Sequence, residues 1–184
     1  MLKSYFKRMC GQGDKCRETY TPVWLLWSVV GGSLAILIIS FTHQWIPISH
    51  ASSLFLIGSF GASSVLIFGT PNVPYAQPRN LLGGHLISAL IGVTIAQYVI
   101  LPIEFQAALV VSLAILFMLL TNTVHPPGGA TGLIAVIGHD GVHEMGYHFV
   151  LQPVLSGLLI MLVIALLFNN LSSDCERHYP RHWW

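Results

Sequence analysis

TNTVHPPGGATGLIAVIG, residues Thr121–Gly138, interrupts a long apolar run at Pro126 and Pro127 and restarts it with glycines and a small hydroxyl residue. Proline has no backbone donor and its ring clashes with the preceding turn, so two in succession cannot sit inside a continuous helix. Proline is favoured at the first helical position, and Thr131–Ile137 therefore reads as a fresh short helix. Asn122, Thr123 and His125 put polar groups just ahead of that start. The expectation is a helix N-terminus inside a lipid-soluble sequence, with unpaired N–H groups and a partial positive charge suited to an anion.

The composition sets this break in a bilayer. Charged residues make up 8% of the chain and hydrophobic residues 54%, against about a quarter charged in a globular domain. A net charge of +1, with no basic patch interleaved with aromatics outside the tail, argues against a nucleic-acid partner. Cys10, Cys16 and Cys175 all lie in the polar tails and read as cytosolic thiols, not as a metal site. The N-terminal part is not a cleavable signal: the first apolar run is too long for one and no A-x-A site closes it. Three regions follow: an N-terminal tail (1–22), a transmembrane domain (23–168) and a C-terminal tail (169–184).

The domain reads as all-α and polytopic. The apolar runs are Val23–Phe41, Leu54–Gly69, Leu81–Leu101, Phe105–Leu120, the short segment after Pro127, and Phe149–Phe168. The first spans roughly 28 Å as a helix, enough for the hydrocarbon core. Eleven apolar residues from Gly128 span only about 16 Å, so an extended Val124–Pro127 lead-in has to supply the rest of that crossing. About six passes with the N-terminus inside put every Lys and Arg on the cytoplasmic face and leave Glu104, Asp140 and Glu144 outside, as the positive-inside rule prefers. Both tails are then cytoplasmic, and a bacterial inner membrane is the expected location. Gly31–Gly32 in the first run, and Gly84, Ser88, Gly92 and Ala96 in the third, are small-residue stripes for close helix packing. Trp24 and Trp27 are expected at interface depth. Runs too short to cross alone point to a homo-oligomer.

A faint echo runs through the chain. FGASSVLIF (Phe60–Phe68) and GGATGLIAV (Gly128–Val136) align at one offset, and three passes per half would make the halves inverted repeats, a known transporter plan. The alternative is chance, since Gly-Ala-Ser/Thr is common in membrane helices.

GSFGASSVLIFGTP (Gly58–Pro71), AQPRNLLGGHLISALIGV (Ala76–Val93) and the HPPGGAT block resemble the HPP family of integral membrane proteins. The family is named for the tripeptide seen here as His125–Pro126–Pro127, and the resemblance covers most of the membrane part. Members in cyanobacteria and plastids are associated with nitrite transport, so the resemblance implies a small inorganic anion as substrate.

The residues supply chemistry for that reading. A bare anion in hydrocarbon costs tens of kcal/mol by the Born estimate, so donors must replace its water. The candidates are the backbone amides from Gly128 and Gly129 to Thr131, the Thr131 hydroxyl, and Ser59, Ser63 and Ser64, with Gly61 allowing close approach. The competing reading is that the prolines and glycines only kink and pack. His125 and His85 fit two roles each, as a donor or proton carrier, or as a capped or headgroup-facing ring. Arg79 is either an anion funnel or a topology anchor, and Asn80 and Asn122 are placed to hydrogen-bond the break in a neighbouring helix. His139, His143 and His148 lie in a segment where Gly141 and Gly146 disfavour a rigid helical face, so a solvated external loop is expected there, not a metal site. No G-x-S-x-G, His-Glu-x-x-His or phosphate loop occurs, and the spans lack paired carboxylates, so neither an enzyme nor a cofactor is expected. Outside transport, the alternative is a membrane scaffold or sensor whose tails engage a soluble partner.

Overall fold

The structure, a computed structural model, describes residues 19–42, 57–138 and 140–184. Cys10, Cys16, His139 and the first residues of the second apolar run lie outside the described residues. Every regular element among the described residues is helical. Helix α1 is Pro22–Thr42; α2 is Gly58–Ser64 and runs into a π-helical turn, Val65–Gly69. After a 3-10 turn at Pro74–Ala76 come α3 (Pro78–Tyr98), α4 (Ile103–Leu120), α5 (Pro126–Ile137) and α6 (Asp140–Met145). A second π-helical turn, Val150–Leu155, leads into α7 (Ser156–Phe168), and 3-10 turns at Asn169–Leu171 and Cys175–Arg177 finish the chain.

Four apolar segments are long enough to cross a membrane: Pro22–Thr42, Pro78–Tyr98, Ile103–Leu120 and Val150–Leu171. Gly58–Gly69 and Pro126–Ile137 are shorter apolar helices, each about 18 Å long. The chain is a polytopic all-α membrane protein. Leu25, Leu26 and Val29 on α1, and Ile115, Leu116 and Leu119 on α4, turn outward as a lipid-facing surface requires.

The two short helices lie inside this frame, where α3 grips α5 through small residues. A Cβ on Gly128 would stand 2.6 Å from the Gly84 backbone, and one on Gly132 would stand 2.7 Å from the Ser88 carbonyl. A Cβ on Gly92 would collide with the Gly132 carbonyl and Ala135. The stripe of Gly84, Ser88 and Gly92 thus meets a matching stripe on α5, and backbone touches backbone. On the other side, Gly31 of α1 receives Phe68 and Phe168. Phe60, Phe68, Phe149, Leu158 and Met161 fill the core between α2 and α7.

Several expectations need correction. Helix α5 begins at Pro126, not at Thr131: both prolines occupy its first turn, where their missing N–H is no loss, and His125 caps it in an extended conformation. The last pass is not one smooth helix, because Gln152 leaves the helical region just before Pro153 and the regular coil resumes at Ser156. Residues 140–145 form a helix despite Gly141, and it ends where Gly146 adopts a positive φ of 49°. Trp24 and Trp27, whatever their depth in the membrane, also make contacts within the protein: the Trp24 indole donates to the Gly69 carbonyl at 3.0 Å, and Trp27 stacks edge-on with Phe168 at 4.9 Å.

The C-terminal tail folds back on the protein. Arg177 is fully buried beneath the ends of α1 and α2. Its guanidinium donates to the Phe68 carbonyl (3.0 Å), Asn169 Oδ1 (3.1 Å) and Ser28 Oγ (3.0 Å), and lies 4.7 Å over the Trp24 ring. Burial lowers its pKa from the ordinary guanidinium value, and Asp174 pulls the other way. The Tyr179 hydroxyl donates to the Ala76 carbonyl at 2.8 Å, and the Arg181 amide donates to Gln77 Oε1 at 2.8 Å. Gln77 returns its own amide protons to the Pro71 and Val73 carbonyls. The Thr70–Gln77 loop is thereby clamped between the tail and the helices.

Candidate functional site

The break before α5 opens onto a file of buried side chains. In α2, Ser59 and Ser63 are four residues apart and share one helical face. His85 comes one turn further into α3 than Asn80 and Leu81, and His125 and Thr131 come from the start of α5. Gly84 makes the meeting possible, since a Cβ there would stand 2.5 Å from the His125 Cβ.

The file runs from one backbone carbonyl to one serine. His125 Nδ1 lies 2.6 Å from the Tyr75 carbonyl oxygen, and His125 Nε2 lies 2.8 Å from Ser63 Oγ. Ser63 Oγ is also 2.7 Å from His85 Nε2, and His85 Nδ1 is 2.6 Å from Thr131 Oγ1. Thr131 Oγ1 donates to Ser59 Oγ at 2.7 Å. Ser63, His85, His125 and Thr131 are 0% exposed and Ser59 is 1% exposed. The two imidazole centroids are 4.9 Å apart, and the Phe60 ring stands edge-on to His85 at 6.0 Å. A carbonyl only accepts, so the Tyr75 contact fixes the proton of His125 on Nδ1. Every group in the file is neutral or able to be neutral, as a membrane interior demands.

The structure divides the sequence candidates. Ser59, Ser63, His85, His125 and Thr131 come together. Asn80 supports them, its side chain donating to the Val124 carbonyl at 2.8 Å and so holding the extended lead-in to His125. Arg79 donates to the Thr121 carbonyl at 2.6 Å and caps the end of α4. Asn122 is exposed in the turn after α4 with a φ of 53°, a conformation asparagine tolerates. Gly61 and Ser64 face away from the file, into a cavity of about 500 Å³ against Ser28, Gly32 and Ser33 of α1. Pro126 is exposed and Pro127 is buried; Gly129 has open space beside its Cα.

One expectation fails on hydrogen-bond geometry. Pro126 and Pro127 have no N–H, and the Gly128 amide donates to the His125 carbonyl at 2.8 Å. From Ala130 on, the amides fall within the helix's own i to i−4 ladder. The amides of Gly128, Ala130 and Thr131 are therefore not open donors. The polar groups at the break are the side chains.

Three contributors escaped the sequence reading. The Tyr75 carbonyl ends the file, and backbone roles leave no mark in residue type. The Ser88 hydroxyl, one turn beyond His85, is buried without a hydrogen-bond partner. Arg177 looked like one more tail charge. His143 gives a ring nitrogen to the Val136 carbonyl at 3.0 Å, and among the described residues no group of three His, Cys, Asp or Glu gathers as metal ligands would.

The tripeptide at the centre of this site agrees with comparison to known proteins. The HPP transmembrane region model matches residues 17–180. The chain belongs to the HPP transmembrane family. A transmembrane protein of Dictyostelium discoideum is 42% identical over 184 residues, which cover 98% of this chain and 63% of the relative. A second transmembrane protein of the same organism is 41% identical over 183 residues, covering 98% of this chain and 57% of the relative. The chain thus spans about three fifths of the length of these curated relatives. No solved structure matches it. In this HPP protein the proline pair places the histidine before it, His125, at the head of a buried file between two short helices.

Proposed function

We propose that this HPP protein transports a small inorganic anion, nitrite foremost, along the His125–Ser63–His85–Thr131–Ser59 file. The observation that carries the reading is the file itself: five donor-bearing side chains, buried end to end, with no carboxylate among them. A cation path through a bilayer uses acidic groups, whereas hydroxyls and imidazoles can solvate negative charge. With the amides of Gly128, Ala130 and Thr131 occupied, side chains replace the helix end as donors. Both His85 Nε2 and His125 Nε2 point at Ser63, so an anion that displaces its hydroxyl meets two ring nitrogens at once. In the described conformation the file is closed on itself, and transport requires α2 and α5 to part.

The same reading places both tails on the cytoplasmic side, in a bacterium at the inner membrane, and joins copies into a homo-oligomer around the two short helices. Another small solute remains the alternative cargo. The docked tail leaves little of itself for a soluble partner, which counts against a scaffold.

The test is uptake by the purified full chain in liposomes offered nitrite, nitrate, formate and chloride in turn. Nitrite uptake above protein-free liposomes is expected. Transport of none of the four, with a cytosolic protein binding the tail, would replace this reading with the scaffold.

A further inference from the structure

The five hydrogen bonds of the file can be counted for protons. The Tyr75 carbonyl requires a proton on His125 Nδ1. If Ser63 then donates to His125 Nε2, it accepts from His85 Nε2–H; His85 Nδ1 accepts from Thr131, and the Ser59–Thr131 bond turns round from the direction described above, so that Thr131 accepts from Ser59. This filling completes every bond with both rings neutral. The reverse filling has Thr131 donating to Ser59, so its single proton is spent. His85 must then donate from Nδ1, and one ring must carry a second proton: His125, where His85 Nε2 accepts from Ser63, or His85 itself, where its Nε2 still donates to Ser63. Either way the reverse filling holds one proton more than the first.

We infer that the file is a single-proton store, loaded at Ser59 and holding its charge at His125, closed on the side of the tails. This inference rests on reading the file as the transport site. Loading balances as follows. A proton binds Ser59 Oγ, whose own proton passes to Thr131; the Thr131 proton passes to His85 Nδ1. The His85 Nε2 proton moves to Ser63, and the Ser63 proton moves to His125 Nε2. Each oxygen ends with one proton, His85 stays neutral, and His125 becomes the imidazolium. The charge has crossed the file although no proton travelled its whole length.

The far end does not conduct. His125 Nδ1–H faces a carbonyl, which cannot take up the proton. Tyr75 lies in the Pro74–Ala76 turn, and that turn is held by Tyr179 on Ala76 and by Arg181 on Gln77. Ser59 lies roughly 15 Å along the α2 axis from Gly69, the end of the helix that meets the tail. The end of the file that can exchange a proton thus lies away from the tails, and Ser59, being 1% exposed, is reached only when α2 and α5 part. It discharges toward the tails only if the Tyr75 turn releases the ring. A file that exchanged protons at both ends would leak them; one that exchanges at a single end can deliver its proton with an anion.

The titratable side chains on the elements packed around the rings are Tyr75, Arg79, Tyr98, Glu104 and, on α6, Asp140, His143 and Glu144, and none shares a hydrogen bond with either ring. The tautomer of His85 reports the loading directly, being Nε2–H in the empty file and Nδ1–H in the loaded one. The experiment is solid-state nitrogen NMR of the full chain, labelled at histidine and held in bilayers without any anion substrate, across an acid titration. His85→Gln and His125→Gln identify the two rings among the nine histidines. As His125 gains its second proton, His85 is expected to stay neutral and exchange Nε2–H for Nδ1–H. In Thr131→Val, which removes the partner of His85 Nδ1, that exchange should vanish. A His85 that keeps one tautomer throughout, or becomes the cation itself, overturns the store. Because no anion is present, the result stands apart from uptake: exchange without nitrite transport would sink the transport reading and keep the store, and transport without exchange would do the reverse.

Discussion

Ser63 and Thr131 hold opposite nitrogens of one imidazole, Ser63 Oγ at 2.7 Å from His85 Nε2 and Thr131 Oγ1 at 2.6 Å from Nδ1. They are also the residues that the echo between FGASSVLIF and GGATGLIAV brings into register. The same place in two short helices therefore supplies one hydroxyl to each side of a ring carried by a third helix.

Removing either hydroxyl should leave buried nitrogens without partners. Ser63→Ala strands Nε2 of both rings, whereas Thr131→Val strands only His85 Nδ1 and loosens Ser59. At about 1–3 kcal/mol per stranded group, Ser63→Ala is expected to destabilise more. Since both act through His85, the double variant should fall short of the sum of the singles. Thermal melts of the four proteins in one detergent check this, and additive losses would mean that the two hydroxyls act separately.

Glycine positions divide by space. Gly132→Ala pushes a methyl to within 2.7 Å of the Ser88 carbonyl and should cost about 1–3 kcal/mol by forcing α3 and α5 apart. Gly129→Ala meets open space within a helix and should be neutral or stabilise by up to about 1 kcal/mol. Melting temperatures that move in opposite directions are the expected result.

Arg177 should not be replaceable by lysine. Its fork reaches Phe68, Asn169 and Ser28 at once, which a point ammonium on a flexible stem cannot do. Arg177→Lys and Arg177→Ala are both expected to release the tail, seen as faster proteolysis after residue 172.

Tail docking should also fail in alkali. Burial raises the Tyr179 phenol above its ordinary value of about 10, and the neutral phenol is what donates to Ala76. A raised folded-state pKa means this contribution is complete below about pH 10 and is lost as pH climbs beyond it. Tyr179→Phe should lack that alkaline step in the same proteolysis assay.

Much of the architecture was legible because it follows from local rules. Two adjacent prolines end a helix in any context, and small residues every four positions mark a close helix contact, as Gly84 and Gly92 do. The candidate residues at 59, 63, 85, 125 and 131 were found by type and place, but their order in one file was not, since it depends on how three helices cross. The open amides were wrongly expected because a proline pair that starts a helix also removes two of its orphan donors. Arg177 and the Tyr75 carbonyl were hidden for a different reason. The first is buried by a tail whose composition is that of a solvated segment, and the second acts through its backbone.

The account stands or falls on His85, the ring that joins the two short helices. The most direct measurement is nitrite uptake into liposomes by His85→Gln beside the unaltered chain, with equal folded protein confirmed by its melting transition. Uptake is expected to fall by about tenfold or more, the loss of at least one bond's worth of solvation for the anion. Nitrite entering at the unaltered rate through a folded His85→Gln protein would contradict it.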